Sequence, residues 1–208
     1  MMRRTLIAAV AAVAGSIAVA GVYGPENPGE PAPNAAAALT QAVEPSESVP
    51  EVTLKTVDGG EVTLGEMLED GPVVLMFYRG SWCPYCNQSL KQFNKHADRF
   101  TSAGARLIAV SPELSAGLKK MKQSNGLTFD LFSDPGSEAA RAFGVSYELG
   151  RSNQRLADAN GVAPDEVELP LGVTYVIDSE GEVTWAFLED DYSKRADPAE
   201  VLAAVEDL

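Results

Sequence analysis

The pattern of hydrophobic and polar residues changes its period several times after residue 50. Apolar and polar residues alternate on both sides of the DGG turn at 58–60, which predicts a β-hairpin. The next apolar run, VVLMFY at 73–78, is continuous, as expected of a strand that is buried on both faces. From 84 to 104 the apolar positions recur with the spacing of a helix. A buried strand is therefore predicted to pass almost directly into a helix.

The rest of the chain keeps alternating between strand-like and helix-like patterns. Strands are predicted at 106–110 and 129–132, helices at 111–126 and 137–144, a second hairpin over 173–188 and a last helix after 197. Ser111-Pro112 is predicted to open the first of these helices and Gly126 to stop it, while Asp197 is predicted to cap the last one. This order indicates an α/β fold with a mixed central sheet flanked by helices and an added N-terminal hairpin.

The beginning of the chain lacks this pattern. A basic MMRR start, an alanine-rich apolar run and the AVA tripeptide at 18–20 predict a signal peptide over 1–20. The apolar run through Val22 approaches the roughly 20 residues that span a bilayer, so an uncleaved anchor that tethers the protein to a membrane is the alternative. Residues 21–47 are rich in Pro, Ala and Glu and predict a flexible tether, which leaves the folded domain at 48–208. The protein is therefore predicted to be exported to the periplasm or another extracytoplasmic compartment.

The charge of the chain narrows the classes of partner. The sequence has 30 Asp and Glu residues against 16 Lys and Arg, which gives a formal net charge of −14. Surfaces that bind nucleic acid or anionic lipid need clustered Lys and Arg. Nucleic acid is therefore not an expected partner.

The two cysteines of the chain form a Cys-x-x-Cys pair, Cys83 and Cys86, at the predicted junction between strand and helix. A helix N-terminus carries a partial positive charge and unpaired N–H groups, which stabilise a thiolate and lower its pKa from about 8.5 towards 7 or below. Pro84 fits the first helical position, where its missing N–H costs nothing. Such a pair is expected to cycle between a dithiol and a disulfide.

Three other uses of a cysteine pair fit the sequence less well. A zinc site needs four ligands, and the single histidine, His96, lies ten residues beyond Cys86, roughly 15 Å along a helix. Covalent haem needs a histidine directly after the second cysteine, where the chain has Asn87. A purely structural disulfide that closes so short a loop constrains the unfolded chain little. No metal or organic cofactor is expected.

Three stretches together resemble peroxiredoxin-like proteins of the alkyl hydroperoxide reductase/thiol-specific antioxidant (AhpC/TSA) family, within the thioredoxin fold. They are VVLMFYRGSWCPYCNQSL at 73–90, ELPLGVTYVIDSEGEV at 168–183 and DYSKRADPAEVLAAV at 191–205, and the resemblance spans 48–208. It implies a thioredoxin-like fold and a peroxidase that reduces hydrogen peroxide or organic hydroperoxides. A thioredoxin-like protein or a membrane relay is then the expected electron donor.

The resemblance combines two templates that disagree about which sulfur attacks. The Pro-x-x-x-Thr-x-x-Cys pattern of typical peroxiredoxins places the attacking sulfur at Cys86, whereas thioredoxin-like reductants use the first cysteine, Cys83. Because the first sulfur at a helix start is normally the more exposed, we expect Cys83 to attack. Gly172 stands where typical peroxiredoxins carry the arginine that polarises the peroxide, and Arg79 and Arg195 are the available substitutes.

Three residues around the pair are predicted to support it. Arg79 is placed to favour the thiolate, and Trp82 and Tyr85 bracket the cysteines as a shield or a docking surface. The long connection at 146–170 is predicted either to cover the site or bind a partner, or to form an ordered surface loop. Two further functions remain open beside the peroxidase: an exported thioredoxin-like protein disulfide reductase, and a redox-inactive binding domain.

Overall fold

The computed structural model describes residues 34–149 and 153–208. The predicted signal peptide or anchor at 1–20 lies outside the described residues. Within the described ranges, no helix combines the length and the apolar character that a membrane crossing requires.

The described chain alternates short strands with short helices. Its strands are β1 Thr53–Thr56, β2 Glu61–Thr63, β3 Val73–Phe77, β4 Arg106–Ser111, β5 Asp130–Ser133, β6 Ser146–Glu148, β7 Glu168–Pro170, β8 Thr174–Ile177 and β9 Val183–Phe187. Its helices are α1 Ala35–Leu39, α2 Leu64–Leu68, α3 Pro84–Asn94, α4 Ala97–Ser102, α5 Ser115–Asn125, α6 Glu138–Ala142, α7 Gln154–Asn160 and α8 Pro198–Glu206. A 3₁₀ turn, Pro135–Ser137, precedes α6.

Seven of the strands form one mixed sheet in the order β2-β1-β5-β4-β3-β8-β9. β3, β4 and β5 run parallel, while β8 lies antiparallel to β3 on its other side. The predicted N-terminal hairpin, β1 and β2, adds to the far edge beside β5. The predicted mixed central sheet with an added N-terminal hairpin is therefore confirmed.

The central strand β3 explains why its apolar run is continuous. Val73, Leu75 and Phe77 belong to one hydrophobic cluster and Val74 and Met76 to another, because successive side chains of a strand point to opposite faces. The first cluster is covered by α1, α2, α6 and α7, and the second by α3, α4, α5 and α8. The sheet is thus flanked by helices on both faces, and α3 lies on the second.

Two predicted helices have different bounds in the structure. The helix predicted over 84–104 is two helices, because the backbone at His96 turns to φ −111° and ends the helical run. The helix predicted from Ser111 begins four residues later, since Ser111 pairs with Ser133 in the sheet and extends β4. Gly126 ends α5 as predicted, with the left-handed φ of 60° that glycine adopts without strain.

The predicted tether is wrong for residues 34–47, which belong to the folded domain. Ala35 in α1 and Ala42 after it are both buried in the first hydrophobic cluster. The segment approaches the core closely, because a Cβ atom at Gly144 would lie 1.9 Å from the Gln41 carbonyl oxygen. Small alanine side chains allow this approach, so a segment with few large apolar residues still packs against the core.

Candidate active site

The two cysteines lie where β3 passes into α3, as the sequence predicted. Cys83 is the N-cap residue of α3, and its Sγ accepts the backbone N–H of Cys86 at 3.3 Å. Pro84 occupies the first helical position. Both cysteines are free thiols in this structure. The helix start therefore holds two reduced sulfurs in its first turn.

The exposure argument for Cys83 as the attacking residue is wrong for this structure. Cys83 is 1% exposed and Cys86 is 0% exposed, so neither sulfur is the more accessible one. Burial has a local cause, since both side chains belong to the hydrophobic cluster between the sheet and α3. The roles of the two thiols must therefore be assigned from the charges that surround them.

Arg195 brings a guanidinium to both sulfurs from the segment between β9 and α8. Its Nη2 lies 3.1 Å from the Cys86 Sγ and 3.8 Å from the Cys83 Sγ. Its Nη1 donates to the carbonyl oxygens of Tyr192, at 2.6 Å, and Lys194. These backbone acceptors fix the guanidinium, so its charge is directed at the thiols.

Gly172 makes the room that Arg195 occupies. A Cβ atom at this position would lie 2.5 Å from the Arg195 Cζ, closer than any carbon contact allows. Gly172, which stands where typical peroxiredoxins carry an arginine, thus leaves room for an arginine from another part of the chain. Of the two substitutes that the sequence offered, Arg195 brings its guanidinium within hydrogen-bond distance of both sulfurs.

Replacing Gly172 by alanine is expected to displace the guanidinium and leave the fold intact, because the colliding atoms are the end of a flexible side chain. The pKa of the Cys86 thiol should rise, and alkylation by iodoacetamide at neutral pH should slow by about tenfold if the pKa rises by about one unit. Gly60→Ala in the first hairpin is a matched control, since its Cβ would meet only the Thr56 side chain. Equal alkylation rates in the two variants would contradict the prediction that Gly172 makes room for the Arg195 guanidinium beside the sulfurs.

The environment of the sulfurs favours ionisation of Cys86. Burial by itself raises the pKa of this thiol, but interactions with the thiolate outweigh that effect and hold the pKa well below its ordinary value. They are a hydrogen bond from the Cys83 thiol, the charges of Arg195 and Arg79, and the backbone N–H of Arg79. The hydrogen bond to Cys86, together with burial, raises the pKa of Cys83. Cys86 is therefore the better thiolate and Cys83 the neutral donor.

Arg79 lies beside the pair, as predicted, and is almost fully buried at 1% exposure. Its guanidinium lies over the Trp82 ring at 4.8 Å and the Tyr192 ring at 5.1 Å, both within reach of cation–π attraction. Burial raises the pKa of the Tyr147 phenol in β6, and the charge of Arg79 acts against that rise. The connection at 146–170 thus contributes a side chain to the site, which the sequence left undecided.

The two aromatic residues that bracket the cysteines are packed against other parts of the site. Trp82 contacts both hydrophobic clusters, and Tyr85 meets Tyr192 edge to face with ring centroids 5.6 Å apart. Tyr192 therefore joins Tyr85 on one side and Arg79 on the other. This tyrosine was missed from the sequence because nothing local marks a residue that packs against another element.

A buried carboxylate orders the loop before Cys83, and the sequence did not single it out. Glu113 accepts the N–H and the hydroxyl of Ser81, each at 2.7 Å, and its burial raises its pKa. The Asn87 side chain donates to the carbonyl oxygens of Ser81 and Cys83, each at 2.8 Å.

In the described ranges, no group of three or more His, Cys, Asp or Glu side chains could hold a metal ion.

Comparison with known proteins gives a consistent result. The AhpC/TSA family matches residues 45–186. Peroxiredoxin Q of rice (Oryza sativa subsp. japonica, chloroplastic) is 30% identical over 145 residues, which cover 70% of this chain and 59% of the rice protein. Peroxidoxin BcpB of Mycobacterium tuberculosis is a structural neighbour with a TM-score of 0.65 and 23% identity, covering 80% of this chain and 98% of that one. Peroxiredoxin Q of Xanthomonas campestris has a TM-score of 0.60 and 24% identity, covering 75% and 90% of the two chains.

Proposed function

This chain belongs to the AhpC/TSA family and is a thiol-dependent peroxidase of the peroxiredoxin type, and we propose that its catalytic cycle runs through Cys86 and Cys83. The observation that carries the proposal is the position of Arg195, whose Nη2 contacts Cys86 at 3.1 Å and Cys83 at 3.8 Å. A cation at this place stabilises the thiolate before attack and the negative charge on the peroxide oxygens during it. The predicted thioredoxin-like fold is confirmed by the structural neighbours.

The proposed first step is attack of the Cys86 thiolate on one peroxide oxygen. A sulfur–oxygen bond forms, the oxygen–oxygen bond breaks, and the departing oxygen takes a proton and leaves as water or an alcohol. Cys86 is then a sulfenic acid. The Cys83 thiol attacks the Cys86 sulfur, releases water and closes a Cys83–Cys86 disulfide. An external dithiol returns two electrons and two protons and restores both thiols.

Burial of the sulfurs supports a small peroxide rather than a protein disulfide as the substrate. With Cys83 at 1% and Cys86 at 0% exposure, a protein disulfide would have to open the start of α3 before it could react. A hydroperoxide needs only a narrow passage. The reductant faces the same obstacle, so we propose that disulfide formation loosens the first turn of α3, where Cys83 is the N-cap.

The deciding experiment compares two reactions of the mature protein. Peroxide consumption is measured with dithiothreitol and with thioredoxin as reductants, beside insulin reduction under the same conditions. Peroxide turnover without insulin reduction is the expected result. Insulin reduction without peroxide turnover would instead support a protein disulfide reductase, and neither activity would support a redox-inactive binding domain.

We also propose that the protein is exported and is reduced by a thioredoxin-like donor or a membrane relay. The support is the basic and apolar sequence of residues 1–20. Disulfides persist in an oxidising compartment, so a peroxidase of this kind needs a dedicated donor there. A fusion of residues 1–47 to alkaline phosphatase should be active in a bacterial host, because that enzyme needs export to become active. An inactive fusion would place the protein inside the cell.

A further inference from the structure

A cleft beside the active site has residues that the proposed cycle does not use. One wall is a single face of α3 with Tyr85, Gln88, Ser89 and Gln92, and the other is the segment that leads into α8 and contains Arg195. Arg195 belongs both to this cleft and to the site, because its Nη2 contacts the two sulfurs. The cleft therefore shares Arg195 with the site that holds the two thiols.

Ser89 is the residue in this cleft whose environment needs an explanation. It is 7% exposed, and its Oγ is buried with no hydrogen-bond partner among the described residues. A serine inside a helix commonly donates to a carbonyl one turn earlier, and this one does not. Buried hydroxyl groups without partners are rare in folded proteins and often mark a functional group.

The position of Ser89 on α3 directs it towards Cys86. It follows Cys86 by three residues, so the two side chains share one helix face. Side chains in a helix tilt towards its N-terminus, and a residue at this spacing covers the turn that precedes it. Ser89 and Arg195 therefore line the same cleft, and the Arg195 Nη2 connects it to the Cys86 sulfur at 3.1 Å.

We propose that Ser89 binds the substrate: peroxide enters through this cleft, and the Ser89 hydroxyl hydrogen-bonds to it beside the guanidinium of Arg195. This inference rests on the proposed peroxidase function and adds the route and a binding residue. The hydroxyl can donate to a peroxide oxygen or accept the peroxide O–H, so it can orient the oxygen–oxygen bond towards the Cys86 sulfur.

The cleft also selects a class of hydroperoxide. Its volume of about 170 Å³ is below the roughly 300 Å³ at which pockets for drug-sized ligands begin, so only a small molecule is held completely inside it. Gln88 and Gln92 line the mouth with uncharged amides. The adjoining segment carries Glu189, Asp190 and Asp191, and the chain has a net charge of −14, which disfavours an anionic ligand. The expected substrates are hydrogen peroxide and small, uncharged alkyl hydroperoxides.

The first test removes the hydroxyl alone. The second-order rate constant for oxidation of the reduced protein is measured with hydrogen peroxide and with tert-butyl hydroperoxide. Ser89→Ala should lower both constants by about tenfold, the effect of one lost hydrogen bond, while the pH dependence of iodoacetamide alkylation stays unchanged. Ser89→Thr keeps a hydroxyl and should restore the rate. Ser124→Ala, an exposed serine in α5, is the control that should change nothing.

The second test narrows the mouth of the cleft. Gln92→Trp should slow tert-butyl hydroperoxide more than hydrogen peroxide, whereas Lys91→Trp, an exposed neighbour outside the lining, should leave both rates unchanged. Linoleic acid hydroperoxide should react slowly even with the unmodified protein. Wild-type rates in Ser89→Ala, or equal effects of the two tryptophans, would overturn the inference while peroxide turnover itself stands. Absence of any peroxide turnover in the unmodified protein would remove the proposed function and this inference together.

Discussion

Replacing Cys86 by serine is expected to abolish peroxide reduction, whereas replacing Cys83 by serine is expected to leave one reaction with peroxide and then a stalled enzyme. The reason is the division of charge between the sulfurs. Arg195 and the Cys83 thiol hold the pKa of Cys86 well below its ordinary value, so Cys86 is the sulfur that attacks. Without Cys83, the sulfenic acid on Cys86 has no thiol to condense with and is open to further oxidation.

The two variants are to be compared after one equivalent of peroxide. Sulfenic acid is located by mass spectrometry after trapping, and turnover is measured separately with dithiothreitol. Limiting iodoacetamide on the reduced wild-type protein gives an independent assignment, with Cys86 expected to carry the label. Sulfenic acid in Cys86→Ser and none in Cys83→Ser would reverse the two roles. Full turnover in both variants would show that the pair is not the catalytic centre.

Replacing Arg195 by methionine is expected to slow oxidation by hydrogen peroxide by about 10²- to 10³-fold, the usual effect of losing one donor that stabilises developing negative charge. Two causes act together. The guanidinium 3.1 Å from the Cys86 sulfur is lost, so the pKa of that thiol rises and less thiolate is present at neutral pH. The peroxide also loses a cation beside the oxygens that accept charge.

The two causes can be separated by pH and by the choice of substitution. As pH rises, Arg195→Met should recover its lost thiolate but not the lost stabilisation of the peroxide, so the rate approaches the wild-type value only in part. Arg195→Lys keeps the positive charge but lacks the planar guanidinium. Its oxidation rate should lie between those of the wild-type protein and Arg195→Met. Arg99→Met is the control, because Arg99 contacts Glu206 on the exposed surface of α4 and α8. Full recovery of the Arg195→Met oxidation rate at high pH would show that Arg195 acts only by lowering the pKa of Cys86.

Predictions from local pattern succeeded where a structure depends on neighbours in sequence. The continuous apolar run at 73–78 predicted a doubly buried strand, the DGG turn predicted the β1–β2 hairpin, and Asp197 does cap α8 by accepting the Ala199 N–H at 2.8 Å. The failures had tertiary causes. The segment at 34–47 looked like a tether because its alanines are small, yet it packs because Gly144 leaves space for its backbone.

By itself, the sequence determined that two thiols stand in the first turn of a helix behind a buried strand, because apolar period, capping and the position of Pro84 are local properties. Only the tertiary structure decided what surrounds the sulfurs. Arg195 follows Cys86 by 109 residues and reaches it through space that Gly172 leaves open. Electrostatic interactions act through space and depend steeply on distance and burial, so which thiol ionises is decided by contacts of 3.1 Å and 3.8 Å that no spacing along the chain encodes.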